Sequence, residues 1–200
     1  MSYRKPTPLT EKHILSGFDS GKPALDAWLK DMAFYNQTQG YTRTFVITDE
    51  AFNVVGYHAV CAGMIHRNDV SRAVKGHAAP VELPVAVLAR LAVSRDHQSR
   101  GLGPALLRNA LLSVVSASQL VAFRGVLVHA IDDEAMRFYK RFHFQETDPE
   151  CFCAPFVPIT GLRIGRPFAH RRAAAEGRIM MPTAISVPSA WKPLTRFTTT

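Results

Sequence analysis

The chain has 200 residues, 47% of them hydrophobic and 20% charged, with a formal net charge of +8. That composition suits one ordinary globular domain. No apolar run approaches the roughly 20 residues that span a bilayer, and Met1-Ser2-Tyr3-Arg4-Lys5-Pro6 lacks the apolar stretch of a signal peptide, so a cytoplasmic protein with no membrane partner is expected.

The positive charge is uneven. Residues 1–150 hold 17 Lys/Arg against 15 Asp/Glu, whereas residues 151–200 hold 7 basic residues and one acid, Glu176. Most of the excess lies in the tail, so the isoelectric point alone is no argument for nucleic-acid binding. Cys61 sits in an apolar stretch and reads as a buried, inert thiol. Cys151 and Cys153 are two apart but lack the second Cys/His pair of a zinc site. Neither a metal nor a disulfide is assigned.

Gly21-Lys22-Pro23 opens a first helix, with proline in its first turn. Leu25, Trp28, Leu29, Met32 and Ala33 recur at helical spacing, and the helix ends before Gly40. Thr42 to Thr48 and Asn53 to Ile65 are rich in β-branched residues and read as an antiparallel hairpin around Asp49-Glu50. Residues 67–80 are polar and read as a loop. Pro84 to Val93 is a nearly continuous apolar strand of the kind covered on both faces. A helix follows from Leu102 to Ala117, with Leu106, Leu107, Ala110, Leu111 and Val114 as its apolar stripe. Val126 to Ala130 is another buried strand. Asp132-Asp133-Glu134 opens a last helix that runs to Arg141, with carboxylates at the positive end of its dipole. Cys153 to Ile159 is broken by prolines and is at best an edge strand. Prolines and arginines dominate beyond it, so the domain is placed at 1–160 and a poorly ordered extension at 161–200, unless Trp191 and Phe197 wrap it onto the domain.

Two segments carry chemistry. The first is the turn Gln98-Ser99-Arg100-Gly101-Leu102-Gly103 between strand and helix. A helix start leaves amides unpaired and carries partial positive charge, which makes a pyrophosphate cradle. Gly101 and Gly103 let backbone approach the anion, Arg95 and Arg100 could add charged contacts, and Pro104 removes one amide. A ligand-free glycine turn is the alternative. The second is Ala135-Met136-Arg137-Phe138-Tyr139-Lys140-Arg141-Phe142-His143-Phe144. A phenol of pKa near 10 can hydrogen-bond or protonate a leaving thiolate of pKa near 8.5; a plain core tyrosine is the alternative. His143, after this helix, reads as a strained cap, and His129, at the end of a buried strand, either orients a substrate or simply packs.

These two segments together resemble the GNAT acetyltransferases, whose blocks are Gln/Arg-x-x-Gly-x-Gly/Ala and Ala-x-x-Phe-Tyr-x-x-x-Gly-Phe. The resemblance implies an α/β fold with a mixed central sheet flanked by helices, whose splayed central strands bind acetyl-CoA. It implies that Gln98, Ser99, Arg100, Gly101, Leu102, Gly103 and Pro104 with Arg95 bind the pyrophosphate. Leu91, Ala92 and Val93 would meet pantetheine and the acetyl carbonyl; Tyr139 would be the general acid, with Phe138 packed inward. His143 replaces the usual glycine.

Gly17-Phe18-Asp19-Ser20-Gly21-Lys22-Pro23-Ala24-Leu25-Asp26-Ala27-Trp28-Leu29, Val55-Gly56-Tyr57, Leu88-Ala89-Arg90-Leu91-Ala92-Val93 and Leu127-Val128-His129-Ala130 further resemble GNAT toxins of type II toxin–antitoxin modules. That likeness implies transfer of acetyl to the α-amine of aminoacyl-tRNA, inhibition of translation, a ribbon–helix–helix antitoxin and a homodimer. Ser20 stands where cysteine is common, and the proline-broken end departs from the pattern. An α-amine titrates near 7.7–8.0, so a fraction is neutral at pH 7 and no dedicated base is required. Arg43, Arg72, Lys75 and Arg90 are candidates to meet the tRNA backbone. A GNAT enzyme acting on a small amine or protein amine, and an inactive antitoxin-binding protein, are the other readings.

Overall fold

A computed structural model describes residues 2–70, 77–144 and 146, and the backbone of 153–157. The expected extension at 161–200, with Trp191 and Phe197, lies outside the described residues, as do Arg72, Lys75 and Cys151. The described elements lie within the unit Met1–Arg163.

In chain order they are β1 (Thr7–Pro8), α1 (Pro23–Ala27), a wider π turn (Trp28–Met32), α2 (Ala33–Thr38), β2 (Arg43–Thr48), β3 (Val54–His66), β4 (Glu82–Val93), α3 (Leu102–Ala117), β5 (Val126–His129), α4 (Asp133–Arg141) and β6 (Cys153–Val157). The expected first helix is therefore two α segments joined by a π turn. Leu25, Leu29 and Ala33 still fall on one buried line, spaced by four. A short 3-10 turn, Arg67–Asp69, opens the segment read as a loop. No helix among the described residues is long and apolar enough to cross a membrane.

The six strands form one mixed sheet in the order β1-β2-β3-β4-β5-β6. Every pair is antiparallel except β4–β5, which is parallel because α3 makes the crossover between them. Strand β1, two residues paired with Val46 and Phe45, is absent from the sequence reading because it is too short to show a period. Strand β6 pairs with β5 at the opposite edge, where Pro155 costs no central ladder bond.

The sheet has two covered faces. On one, Leu25, Leu29 and Ala33 pack on Val46, Val54, Tyr57 and Ala92. On the other, Leu107, Ala110 and Val114 of α3 pack on Ala86, Leu88, Val126 and Val128, together with Tyr139 and Phe144. Full burial of one such side chain contributes about 2 kcal/mol. Both helix layers hold β4 so firmly that its edge toward β5 can be left open.

Candidate active site

Strands β4 and β5 pair only at Ala86↔Val126, Val87↔Leu127 and Leu88↔Val128. Beyond Leu88, β4 stays with β3 as far as Val93, while β5 ends at His129. A β-bulge marks the parting: Ala59 faces Arg90 and Val60 faces Leu88, so Ala89 is an extra residue in β4. A bulge bends a strand and re-aims the residues after it. Here it shifts the alternation, so Ala86 and Leu88 before it and Leu91 and Val93 after it all turn toward α3. The guanidinium of Arg90 donates to the Ala89 carbonyl at 2.6 Å. A cleft of about 540 Å³ opens in the gap.

The walls of this cleft include Leu91, Ala92, Val93, Gln98, Ser99, Gly101, Leu102, Gly103, Pro104, Arg90 and Tyr139. The sequence candidates on β4, the turn and α4 are thus brought together. Gly101 caps α3 with φ +78°, the left-handed region that favours glycine, and no atom lies within 4 Å of where its Cβ would be. The space in front of the turn is open. An added Cβ at Gly103 would stand 3.4 Å from the Phe138 ring, so Gly103 lets α4 approach α3 closely. Pro104 has no N–H and the Ala105 amide bonds to the Gly101 carbonyl. Leu102 and Gly103 therefore supply the first-turn amides without intrahelical acceptors, and these fit a diphosphate.

Gln98 lines the cleft, and its amide group is engaged by the fold. Its amide donates to the Ser20 carbonyl at 3.2 Å and to the Val93 carbonyl at 3.0 Å, which ties the turn to the segment before α1. Arg95 and Arg100 depart from expectation, since neither lines the cleft. The Arg95 guanidinium lies over Gly21 and 3.6 Å from Asp19, and Arg100 donates to the Tyr3 hydroxyl at 3.0 Å. The acidic partner and the phenol draw both cations toward the amino-terminal segment.

Tyr139 lies in the last turn of α4. A Schellman arrangement holds it there: Phe144 N donates to the Tyr139 carbonyl, His143 N donates to the Lys140 carbonyl, and His143 takes φ +62°. The rings of Tyr139 and Phe144 pack 5.5 Å apart, the hydrophobic contact that accompanies this motif. Tyr139 is 5% exposed, and burial pushes its phenol above the ordinary tyrosine range, so it stays protonated. Phe138, expected to be the inward ring, is only half-buried, against Gly103 and Phe142.

Arg90 stands over the Trp28 ring at 5.6 Å, and Trp28 stacks on Tyr57, whose hydroxyl donates to the Leu25 carbonyl at 2.8 Å. This stack fixes α1 to the cleft. Arg43 is elsewhere: it sits on β2, donates to the Gln37 carbonyl at 3.5 Å and lines a separate hollow beside the end of α3. Sequence reading missed one pair at the cleft mouth. Lys22 meets Asp132 at 2.6 Å, and Asp132 also caps α4 by accepting from Ala135 N at 2.9 Å. The cap was legible in the acidic run; its partner, 110 residues earlier in the chain, was not.

A turn whose free amides fit a diphosphate, an open strand edge and a protonated phenol in one cleft suit transfer from an acyl thioester. Comparisons with known proteins point the same way. The acetyltransferase (GNAT) domain family matches residues 40–146. A tRNA-acetylating toxin of Mycobacterium tuberculosis is 39% identical over 149 residues, 74% of this chain and 89% of that one. The solved structure of AtaT complexed with acetyl-methionyl-tRNAfMet superposes with a TM-score of 0.74 at 26% identity, covering 80% of this chain and 97% of that one. A tyrosine-to-phenylalanine mutant of AtaT, bound to the C-terminus of the antitoxin AtaR and acetyl-CoA, gives a TM-score of 0.67 at 28% identity, covering 78% of this chain and 93% of that one. With more than half its length matched by the family and a relative of this identity across most of both chains, this protein belongs to the GNAT acetyltransferases.

Proposed function

We propose that this protein transfers an acetyl group from acetyl-CoA to the α-amine of aminoacyl-tRNA, and that it is the toxin of a type II toxin–antitoxin module acting on translation in the cytoplasm. The observation that carries the reading is the single cleft that joins the Gly101–Gly103 cradle, the free edge of β4 and Tyr139. The 39% identity to a tRNA-acetylating toxin supports the choice of acceptor. Residues 1–160 make the acetyltransferase domain and 161–200 an extension to it. A ribbon–helix–helix antitoxin and a homodimeric state belong to the same proposal.

Acetyl-CoA supplies the acetyl group as an activated thioester. The amides of Leu102 and Gly103 hold the diphosphate, the β4 edge at Leu91, Ala92 and Val93 aligns the arm of the coenzyme, and Tyr139 gives its proton to the departing sulfur. Among the tRNA candidates, Arg90 lines the cleft, and Arg43, Arg72 and Lys75 would serve the nucleic-acid backbone.

Purified protein incubated with labelled acetyl-CoA and a charged tRNA pool tests this. Label on the aminoacyl group of at least one tRNA is expected. Transfer to a polyamine or peptide with every charged tRNA left unlabelled would overturn the choice of substrate.

A further inference from the structure

The two sides of the sheet present different chemistry to the gap between β4 and β5. Tyr139 packs with Val126, Val128 and Ala130 on the side that carries α3. Leu127 joins Ile65, Val70, Leu83 and Val85 instead. Side chains two apart on a strand share a face, so His129 turns the same way as Leu127, away from Tyr139. Arg90, over Trp28, stands on that same side.

His129 is also the first residue of β5 beyond its last pairing with β4, Leu88↔Val128. It borders the gap, its side chain is exposed, and it lines the cleft. Resting on the acetyltransferase reading above, we propose that His129 is the catalytic base that takes the proton of the attacking amine, from the sheet face opposite Tyr139.

Among the described residues, the other charged groups and imidazoles that line the same cleft are Arg90 from β4, Lys22 from the segment before α1, His97 from the turn, and Asp132, Glu134 and Arg141 from α4. Lys22 is engaged by both carboxylates, at 2.6 Å and 3.8 Å. Partial burial first, and the Arg90 charge second, lower the affinity of His129 for a proton. At neutral pH its imidazole is therefore uncharged. His129 accepts the N–H proton as the amine nitrogen bonds to the acetyl carbon. Tyr139 gives its phenol proton to the sulfur as the C–S bond breaks. Solvent then removes one proton from His129 and returns one to Tyr139, so charge and atoms balance.

The test compares wild type with His129→Gln between pH 5.0 and 8.5, with acceptor kinetics, calorimetry of acetyl-CoA binding and imidazole NMR of the ligand-free protein. A positioned base contributes typically ~100-fold or more. The variant is therefore expected to lose about 100-fold in kcat at pH 8, where the ring is neutral, and less as the pH falls through the ring's own titration, where wild type loses its base as well. Acetyl-CoA affinity should be unchanged, and the wild-type His129 ring should titrate below its ordinary 6.5. A defect that keeps its size below the pH at which the ring titrates, is confined to KM, or is accompanied by lost acetyl-CoA affinity overturns the assignment, as does a ring titrating above 6.5. If wild type acetylates only small amines yet shows this pH signature, the tRNA reading fails and the base stands. If charged tRNA is acetylated and His129→Gln is normal, only the base fails.

Discussion

Tyr139 and His143 show how one residue's backbone can serve another's side chain. The carbonyl of Tyr139 accepts from Phe144 N, and this fold-back closes α4 only because His143 takes a positive φ. A non-glycine residue there costs on the order of 1 kcal/mol. His143→Gly is therefore expected to raise stability by about 0.5–1 kcal/mol, read from the urea midpoint at unchanged m-value. The His143 side chain is exposed, so little packing is lost with it. Tyr139→Phe removes a single hydroxyl and keeps the ring that packs on Phe144. Its turnover should drop by about 100-fold or more while calorimetric acetyl-CoA affinity holds, because the proton is needed only as sulfur departs. Equal turnover in the two proteins would remove Tyr139 from the role of acid.

At the scale of elements, α4 is placed by its two ends. Asp132 caps its head, and the hydrogen bond from Lys22 holds the Asp132 carboxyl below the usual carboxylate range, with the Ala135 amide adding to this. The same segment that supplies Lys22 is tied to the phosphate turn through the Ser20 carbonyl and Gln98. Ser20 is itself held by Asp26, through both its amide and its hydroxyl. One short stretch therefore sets the cradle and the tyrosine helix relative to each other. Asp132→Ala is expected to cost about 1 kcal/mol, the usual worth of an N-cap. Asp132→Asn, which keeps a capping oxygen and loses only a half-exposed ion pair, should cost no more than a few tenths. Thermal melts of the two variants separate cap from charge.

Across the whole molecule, the layer between β2, β3 and α3 contains a buried imidazole. His58 is fully buried, stacks on Phe45 at 5.2 Å and meets the Asn109 side-chain oxygen at 2.8 Å through Nε2, while its Nδ1 has no hydrogen-bond partner among the described residues. Burial lowers its pKa below the ordinary 6.5, with the Asn109 bond acting the other way. The folded state thus resists a proton that the unfolded chain accepts. Stability is full above pH 6.5 and falls as the pH drops below it toward the folded-state value, by at most about 1.4 kcal/mol per pH unit from this group. Asp49 and Asp132 are both lowered from 3.8 and enter only at more acid pH. Urea unfolding between pH 7.5 and 5.0 should show the decline, and His58→Gln should reduce it, the remainder coming from His13 and His129, which burial also lowers; an unaltered slope in the variant would exclude His58 as a source.

What the chain determined by itself was whatever rests on neighbours in sequence. The bounds of α3, Leu102 to Ala117, follow from Gly101 before it and a continuous apolar stripe within it. The cradle, the acidic cap of α4 and the left-handed His143 are likewise properties of three to six consecutive residues. Tertiary structure decided the rest. The bulge at Ala89 lies inside an unbroken apolar run, where no period reveals an extra residue, yet it opens β4 from β5. Arg95 and Arg100 turn from the cleft because Asp19 and Tyr3, far away in the chain, compete for them. Long flexible cations go where the fold sets their partners, and the same holds for Lys22 at Asp132.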